Sequence, residues 1–186
     1  MNKANPIPLG LLGYGMSTVL LSFSIAGKYP TGGMVFAMAI FFGGIAQAIV
    51  CVMLYSKGDT FGTTAFGGYA FLWLSFGFMN VGASHGWWTL GGKDVGYYLL
   101  LWAVFTIGLA VASTVAPKVL TIILMLTVVL LGSLGIGSKN GNASLSKFGG
   151  YEGVLTGALA IYLAFAFLIN ETHGNSKLPV GSPFRS

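Results

Sequence analysis

Apolar residues along this chain gather into six long runs, each closed by a short polar or helix-breaking stretch. The first covers about residues 9–27 and follows the breaker Asn5-Pro6-Ile7-Pro8. The second, 33–55, ends at Ser56-Lys57-Gly58-Asp59, and the third, 61–81, closes before Gly82-Ala83-Ser84-His85-Gly86. The fourth, 96–115, stops at Pro117-Lys118, and the fifth, 119–135, follows at once. A stretch rich in Gly, Asn, Ser and Lys over 138–147 predicts a loop before the sixth run, 149–168. Runs of about 18 or more uncharged residues are long enough to cross a membrane, since roughly 20 helical residues traverse the hydrocarbon. Backbone groups left unpaired in lipid are costly, so only helices or closed barrel strands span it. These runs lack the alternation of barrel strands, so helices are expected. The predicted architecture is all-α, a single polytopic domain of six transmembrane helices.

Composition strengthens that picture. Only 7% of the 186 residues are charged, against about 25% in a soluble domain, and the mean hydropathy is +0.82. The net charge of +5 is spread singly between and beyond the runs. No basic stripe with interleaved aromatics exists to follow a phosphate backbone, so nucleic acid is not an expected partner and the lipid bilayer is. An even number of spans puts both termini on one side. The side holding Lys3, Lys57, Lys118, Lys177 and Arg185 outweighs the side holding Lys28, Lys93, Lys139 and Lys147, so N- and C-termini are expected in the cytoplasm. Cys51 is the single cysteine, which excludes intramolecular disulfides and cysteine-cluster metal sites. The first run is too long for a signal-peptide core and is expected to stay in the mature protein.

The pattern at depth argues against catalysis. Asp59, Asp94, Glu152 and Glu171 are expected at or just beyond span ends, with His85 and His173 in loops. A proton relay needs ionisable groups within spans, and an intramembrane enzyme needs a nucleophile with its base or a metal set. Neither is expected, nor any metal or cofactor. What remains is mild polarity: Thr18 and Ser22 in the first run, Gln47 in the second, Thr63, Thr64 and Tyr69 in the third, Thr127 in the fifth. A lone Ser or Thr usually bonds its own helix. Gln47 differs, because a primary amide in hydrocarbon needs partners for two donors and an acceptor. It either ties helices together or faces a wet cavity. The 29 glycines predict close helix packing through small residues. These features define a small-solute channel or transporter. A non-transporting sensor or scaffold, and a channel for a neutral solute such as ammonia, are the alternatives.

The stretch Asn5-Pro6-Ile7-Pro8-Leu9-Gly10-Leu11-Leu12-Gly13-Tyr14 resembles the signature of the acetate uptake transporter family, the YaaH-like succinate–acetate permeases. Phe42-Gly43-Gly44-Ile45-Ala46-Gln47, then Gly62 through Thr64-Ala65-Phe66 to Tyr69, and the closing Asn170-Glu171 match in order. The resemblance implies a six-helix protomer with its own central path, assembled as a hexamer in the plasma membrane. It implies passage of acetate, succinate and related small carboxylates by a channel-like or proton-coupled route. Its aromatic and aliphatic constriction would fall on Tyr14, Tyr69 and, in the fifth helix, Thr127 or Leu126. Tyr14 stands where Phe is usual and adds a hydroxyl there. Asn5 at the first helix N-terminus, Gln47, Thr18 and Thr64 are the implied substrate-binding positions, the first favoured by the positive end of a helix dipole.

Overall fold

The structure, a computed structural model, describes residues 4–185, so Lys3, counted above toward orientation, lies outside the described residues. The chain forms six long helices: α1 (Ile7–Ile25), α2 (Gly33–Tyr55), α3 (Thr60–Ser84), α4 (Gly92–Ala112), α5 (Lys118–Asn140) and α6 (Ala143–His173). No strand occurs among the described residues. All but α3 combine the length and hydropathy of a membrane span. The third helix is diluted by Thr60, Thr63, Thr64, Ser75, Asn80 and Ser84.

Local chemistry sets the ends. Prolines open α1, where their fixed φ and missing N–H cost nothing. Asp59 caps α3 by accepting from Gly62 N at 2.8 Å, and Asn142 caps α6 by accepting from Leu145 N at 3.0 Å. Helix α5 closes on Gly141 at φ 66°, the left-handed turn that glycine permits without a Cβ penalty. The loop expected over 138–147 is therefore cut to Gly141 and Asn142. Polar residues there do not break a helix when each end is capped.

Helix α2 is irregular. Met38–Ala46 winds as a π-helix between two α-helical ends, a device that often marks functional segments. Ser17 Oγ donates to the Met38 carbonyl at 3.1 Å, drawing it toward α1. Gly43 lies against the Trp73 ring and Gly44 against Leu74, both of α3.

The helices pack as a ring in chain order: α1 against α2, α2 against α3, α3 against α4, α4 against α5, α5 against α6, and α6 back on α1. The α6–α1 seam is the tightest. A Cβ on Gly157 would meet the Gly15 carbonyl oxygen at 2.7 Å, so the backbones touch through glycine, as packing in lipid favours. Glu152, expected near a span end, instead lies well inside α6. Its neighbour Gly153 packs on Ser22 of α1 and Leu130 of α5. The helix begins at Ala143 rather than at 149, which leaves Glu152 inside it instead of near its end.

Candidate functional site

Three helices of the ring aim polar side chains at one level. Tyr14 of α1 and Tyr69 of α3 are buried, with ring centroids 5.3 Å apart and planes tilted by 47°. Tyr14 Oη and Thr127 Oγ1 of α5 lie 2.7 Å apart. Thr127 donates its proton to the Ile123 carbonyl at 2.7 Å, so Tyr14 is the donor in the pair. The same arrangement recurs beside it. Tyr69 Oη lies 3.0 Å from Thr106 Oγ1 of α4, and Thr106 donates to the Trp102 carbonyl at 2.8 Å. Both phenol protons are thus held by threonines, and in this state neither is aimed at a solute.

Two cavities meet at these tyrosines. The near cavity, on the side of both termini, encloses about 230 Å³ and is lined by Gln47, Asp59, Phe66 and Pro117 as well as Tyr14 and Tyr69. The far cavity encloses about 350 Å³ and is lined by Tyr14, Tyr69, Thr127, Thr18, Ser22 and Trp73 among others. Asp59 is the one charged side chain among the described residues of either lining, and it is engaged as the α3 cap. The path is shut at an aromatic pair, with uncharged walls on the far side and only the capping Asp59 charged on the near side.

Gln47 is fully buried, and neither its Nε2 nor its Oε1 has a partner. An amide unsatisfied at that depth costs about 1–3 kcal/mol, a penalty that a water or a solute in the adjoining cavity would relieve. Trp73 Nε1 is a second buried donor without a partner, one helical turn beyond Tyr69 on α3. Gln47 lines the near cavity and Trp73 the far one, so these two unpaired donors flank the tyrosine pair, while the Thr63 hydroxyl, also buried without a partner, lines neither cavity.

The other sequence-derived positions behave differently. Thr18 lines the far cavity, but its hydroxyl donates to the Tyr14 carbonyl at 2.7 Å. Thr64 is exposed, donates to the Thr60 carbonyl at 2.9 Å and lines neither cavity. Leu126 is half-buried and lines neither, whereas Thr127 touches Tyr14. Asn5 is half-buried; its amide donates to Glu171 Oε2 at 3.1 Å and its carbonyl accepts from Ile7 N at 3.1 Å, stapling the start of α1 to the end of α6. Thr106 and Trp73 escaped the sequence reading. A hydroxyl in the middle of the fourth apolar run was the signal for Thr106; nothing in sequence marks an indole N–H as unpaired.

A ring of apolar helices enclosing two cavities that meet at a shut aromatic pair defines a polytopic membrane protein of the transporter and channel class. The chain belongs to the GPR1/FUN34/yaaH family, whose model matches residues 1–182. It is 40% identical to the succinate-acetate/proton symporter SatP of Escherichia coli K12 over 179 residues, covering 96% of this chain and 95% of that protein. It is 31% identical to ammonia transport outward protein 2 of Saccharomyces cerevisiae over 95% of this chain and 65% of that protein. The solved structure of the bacterial acetate channel SatP superposes with a TM-score of 0.95 at 39% identity, covering 97% of this chain and all of that one.

Proposed function

We propose that this protein passes acetate and related small carboxylates, succinate among them, through the path that joins the two cavities at Tyr14 and Tyr69. The observation that carries this reading is the likeness to SatP along nearly the whole chain, 40% identical over 96% of it and alike in fold at a TM-score of 0.95. The geometry supports it. Small carboxylates are anionic at neutral pH, given a reference pKa near 4, and a path with no fixed cation must hold them with neutral donors. The Tyr14 and Tyr69 hydroxyls, the Gln47 amide and the Trp73 indole supply such donors once they turn from their present partners or vacancies toward the solute. The constriction is Tyr14, Tyr69 and Thr127, with Gln47 the amide contact on the near side.

The protein acts by binding and passage rather than by catalysis. Its place is the plasma membrane, multi-pass, with both termini cytoplasmic and the near cavity opening inward. Assembly as a hexamer is carried over from the family resemblance.

The test is uptake of labelled acetate into proteoliposomes at fixed pH with the membrane potential clamped at several values. Voltage-dependent flux identifies passage of the anion. Voltage-independent flux that follows a pH gradient identifies proton coupling. Absence of any protein-dependent flux leaves a sensor or scaffold. The yeast relative named for ammonia supports a second reading, a channel for a small neutral solute. Competition separates the two: acetate slows ammonia passage only if both use one path.

A further inference from the structure

We propose that Glu152 is a proton-binding site that makes passage through the Tyr14–Thr127 constriction pH-dependent. The idea rests on the transport reading above and deepens it. Glu152 sits inside α6 at the level of Ser22 and Leu130, to judge from the packing of its neighbour Gly153. Its Oε1 accepts from Thr156 Oγ1 at 2.5 Å, while Oε2 is buried without a partner. A carboxylate at that depth with one neutral donor is expensive, and an ionisable group within a span is a functional candidate by default.

Its surroundings offer no counter-charge. Helix α1 has Tyr14 as its sole titratable side chain. Helix α5 carries Lys118 and Lys139, at its two ends. On α6 itself Lys147 and Tyr151 precede Glu152, and Tyr162, Glu171 and His173 follow. No cation is bonded to the carboxylate among the described residues.

The position couples it to the constriction. Gly149 packs on Leu134 and Gly153 on Leu130, and the next step of this antiparallel register sets the fully buried Thr156 opposite Leu126 and Thr127. Glu152 is therefore one helical turn from the constriction, with the Thr156 hydroxyl on the intervening side. Ionised, it places a negative charge beside the path and disfavours a carboxylate there. Neutral, it removes that repulsion. The O–H bond forms when a proton enters from one side and breaks when it leaves, with no other bond changed. By linkage, a carboxylate in the constriction favours the protonated acid to the same degree. Like charges ~10 Å apart at an effective dielectric near 20 imply an effect on the order of tenfold.

The experiment measures acetate uptake above protein-free vesicles, at constant acetate-anion concentration and zero potential, across acid to neutral pH. Wild type should slow about tenfold as pH rises, and Glu152→Gln should keep the low-pH rate throughout. An unchanged profile in Glu152→Gln overturns the proposal. If the variant fails to insert, Thr156→Val serves: losing the anion's one donor should move half-maximal flux to higher pH, and an unmoved profile overturns it. With only four Asp and Glu in the chain, infrared titration gives an independent readout. A titrating carboxylic C=O band present in wild type and lost in Glu152→Gln supports the site, and its absence overturns it. If wild type passes no acetate at all, the transport reading fails and the infrared result alone decides Glu152.

Discussion

The Tyr14 hydroxyl donates to Thr127 Oγ1 across 2.7 Å, because the threonine proton is already given to the Ile123 carbonyl. The bond joins α1 to α5 across the ring and fixes one side of the constriction. Tyr69 and Thr106 repeat the chemistry between α3 and α4. An aliphatic side chain in place of either threonine would leave a buried phenol hydroxyl with nothing to donate to. The pair therefore works as a unit: each hydroxyl at this level is acceptable because the other is there.

Thr127→Leu should lower both stability and flux. The orphaned Tyr14 hydroxyl costs about 1–3 kcal/mol, and labelled acetate uptake should slow by about tenfold if that penalty falls on the conducting state, since 1.4 kcal/mol is a factor of ten. Thr127→Ser keeps the acceptor and should stay near wild type. Adding Tyr14→Phe to Thr127→Leu removes both partners and should recover the melting temperature without restoring flux. Uptake by Thr127→Leu equal to wild type would remove the polar pair from the mechanism.

Much of this was legible in sequence, for identifiable reasons. Apolar runs bounded by Asn5-Pro6-Ile7-Pro8, by Lys57-Gly58-Asp59 and by Pro117-Lys118 locate helices because lipid leaves the backbone no other choice. Gln47 stood out because a lone amide in hydrocarbon needs an explanation. The π-helical stretch did not, since the contacts along it, Ser17 to the Met38 carbonyl and Gly43 against Trp73, join positions far apart in the chain. The start of α6 was misread because Ser, Gly, Asn and Lys resemble a loop until Asn142 is seen capping a helix, and Glu152 was misplaced with it. Thr106 acquires meaning only when Tyr69 is set against it.

Gln47→Leu should separate stability from function. Both polar atoms of the amide are buried without partners, and replacing them with apolar volume removes a desolvation penalty of about 1–3 kcal/mol. The variant should melt higher in detergent while passing acetate more slowly, the trade expected where a site is held unsatisfied for a ligand. A lower melting temperature would mean that the amide ties helices together.

Gly157→Ala should loosen the ring. The added Cβ would approach the Gly15 carbonyl oxygen and Val19 Cγ2 at 2.7 Å each, and backbone cannot rotate aside. Overpacking of this kind costs about 1–3 kcal/mol and would displace α1, carrying Tyr14 with it. Gly108→Ala is the control: a Cβ there meets nothing within 4 Å, and the helix should gain up to about 1 kcal/mol. Thermal melts of the two variants should move in opposite directions.

Asn170 should prove to be the clamp on the C-terminal segment. Its Nδ2 donates to the Leu178 carbonyl at 2.8 Å, and its Oδ1 accepts from Lys177 N at 2.7 Å and Leu178 N at 2.8 Å. Tyr162 Oη adds a bond to the Pro179 carbonyl at 2.8 Å, and the Val180 carbonyl accepts from Val119 N at 3.2 Å. The segment is thereby held across the start of α5, next to Pro117 and Leu120, which line the near cavity. The Lys177–Leu178 peptide, a trypsin site, has its own N–H and that of the preceding peptide on the Asn170 oxygen, so cleavage requires that grip to open. Asn170→Ala removes all three bonds and should speed tryptic cutting after Lys177 by tenfold or more, taking about 1 kcal/mol for each lost bond. Asn170→Asp keeps the oxygen that holds both N–H groups and should be cut at an intermediate rate. Equal cutting in all three proteins would mean that the segment is held by Val180 packing and the α5 contact instead.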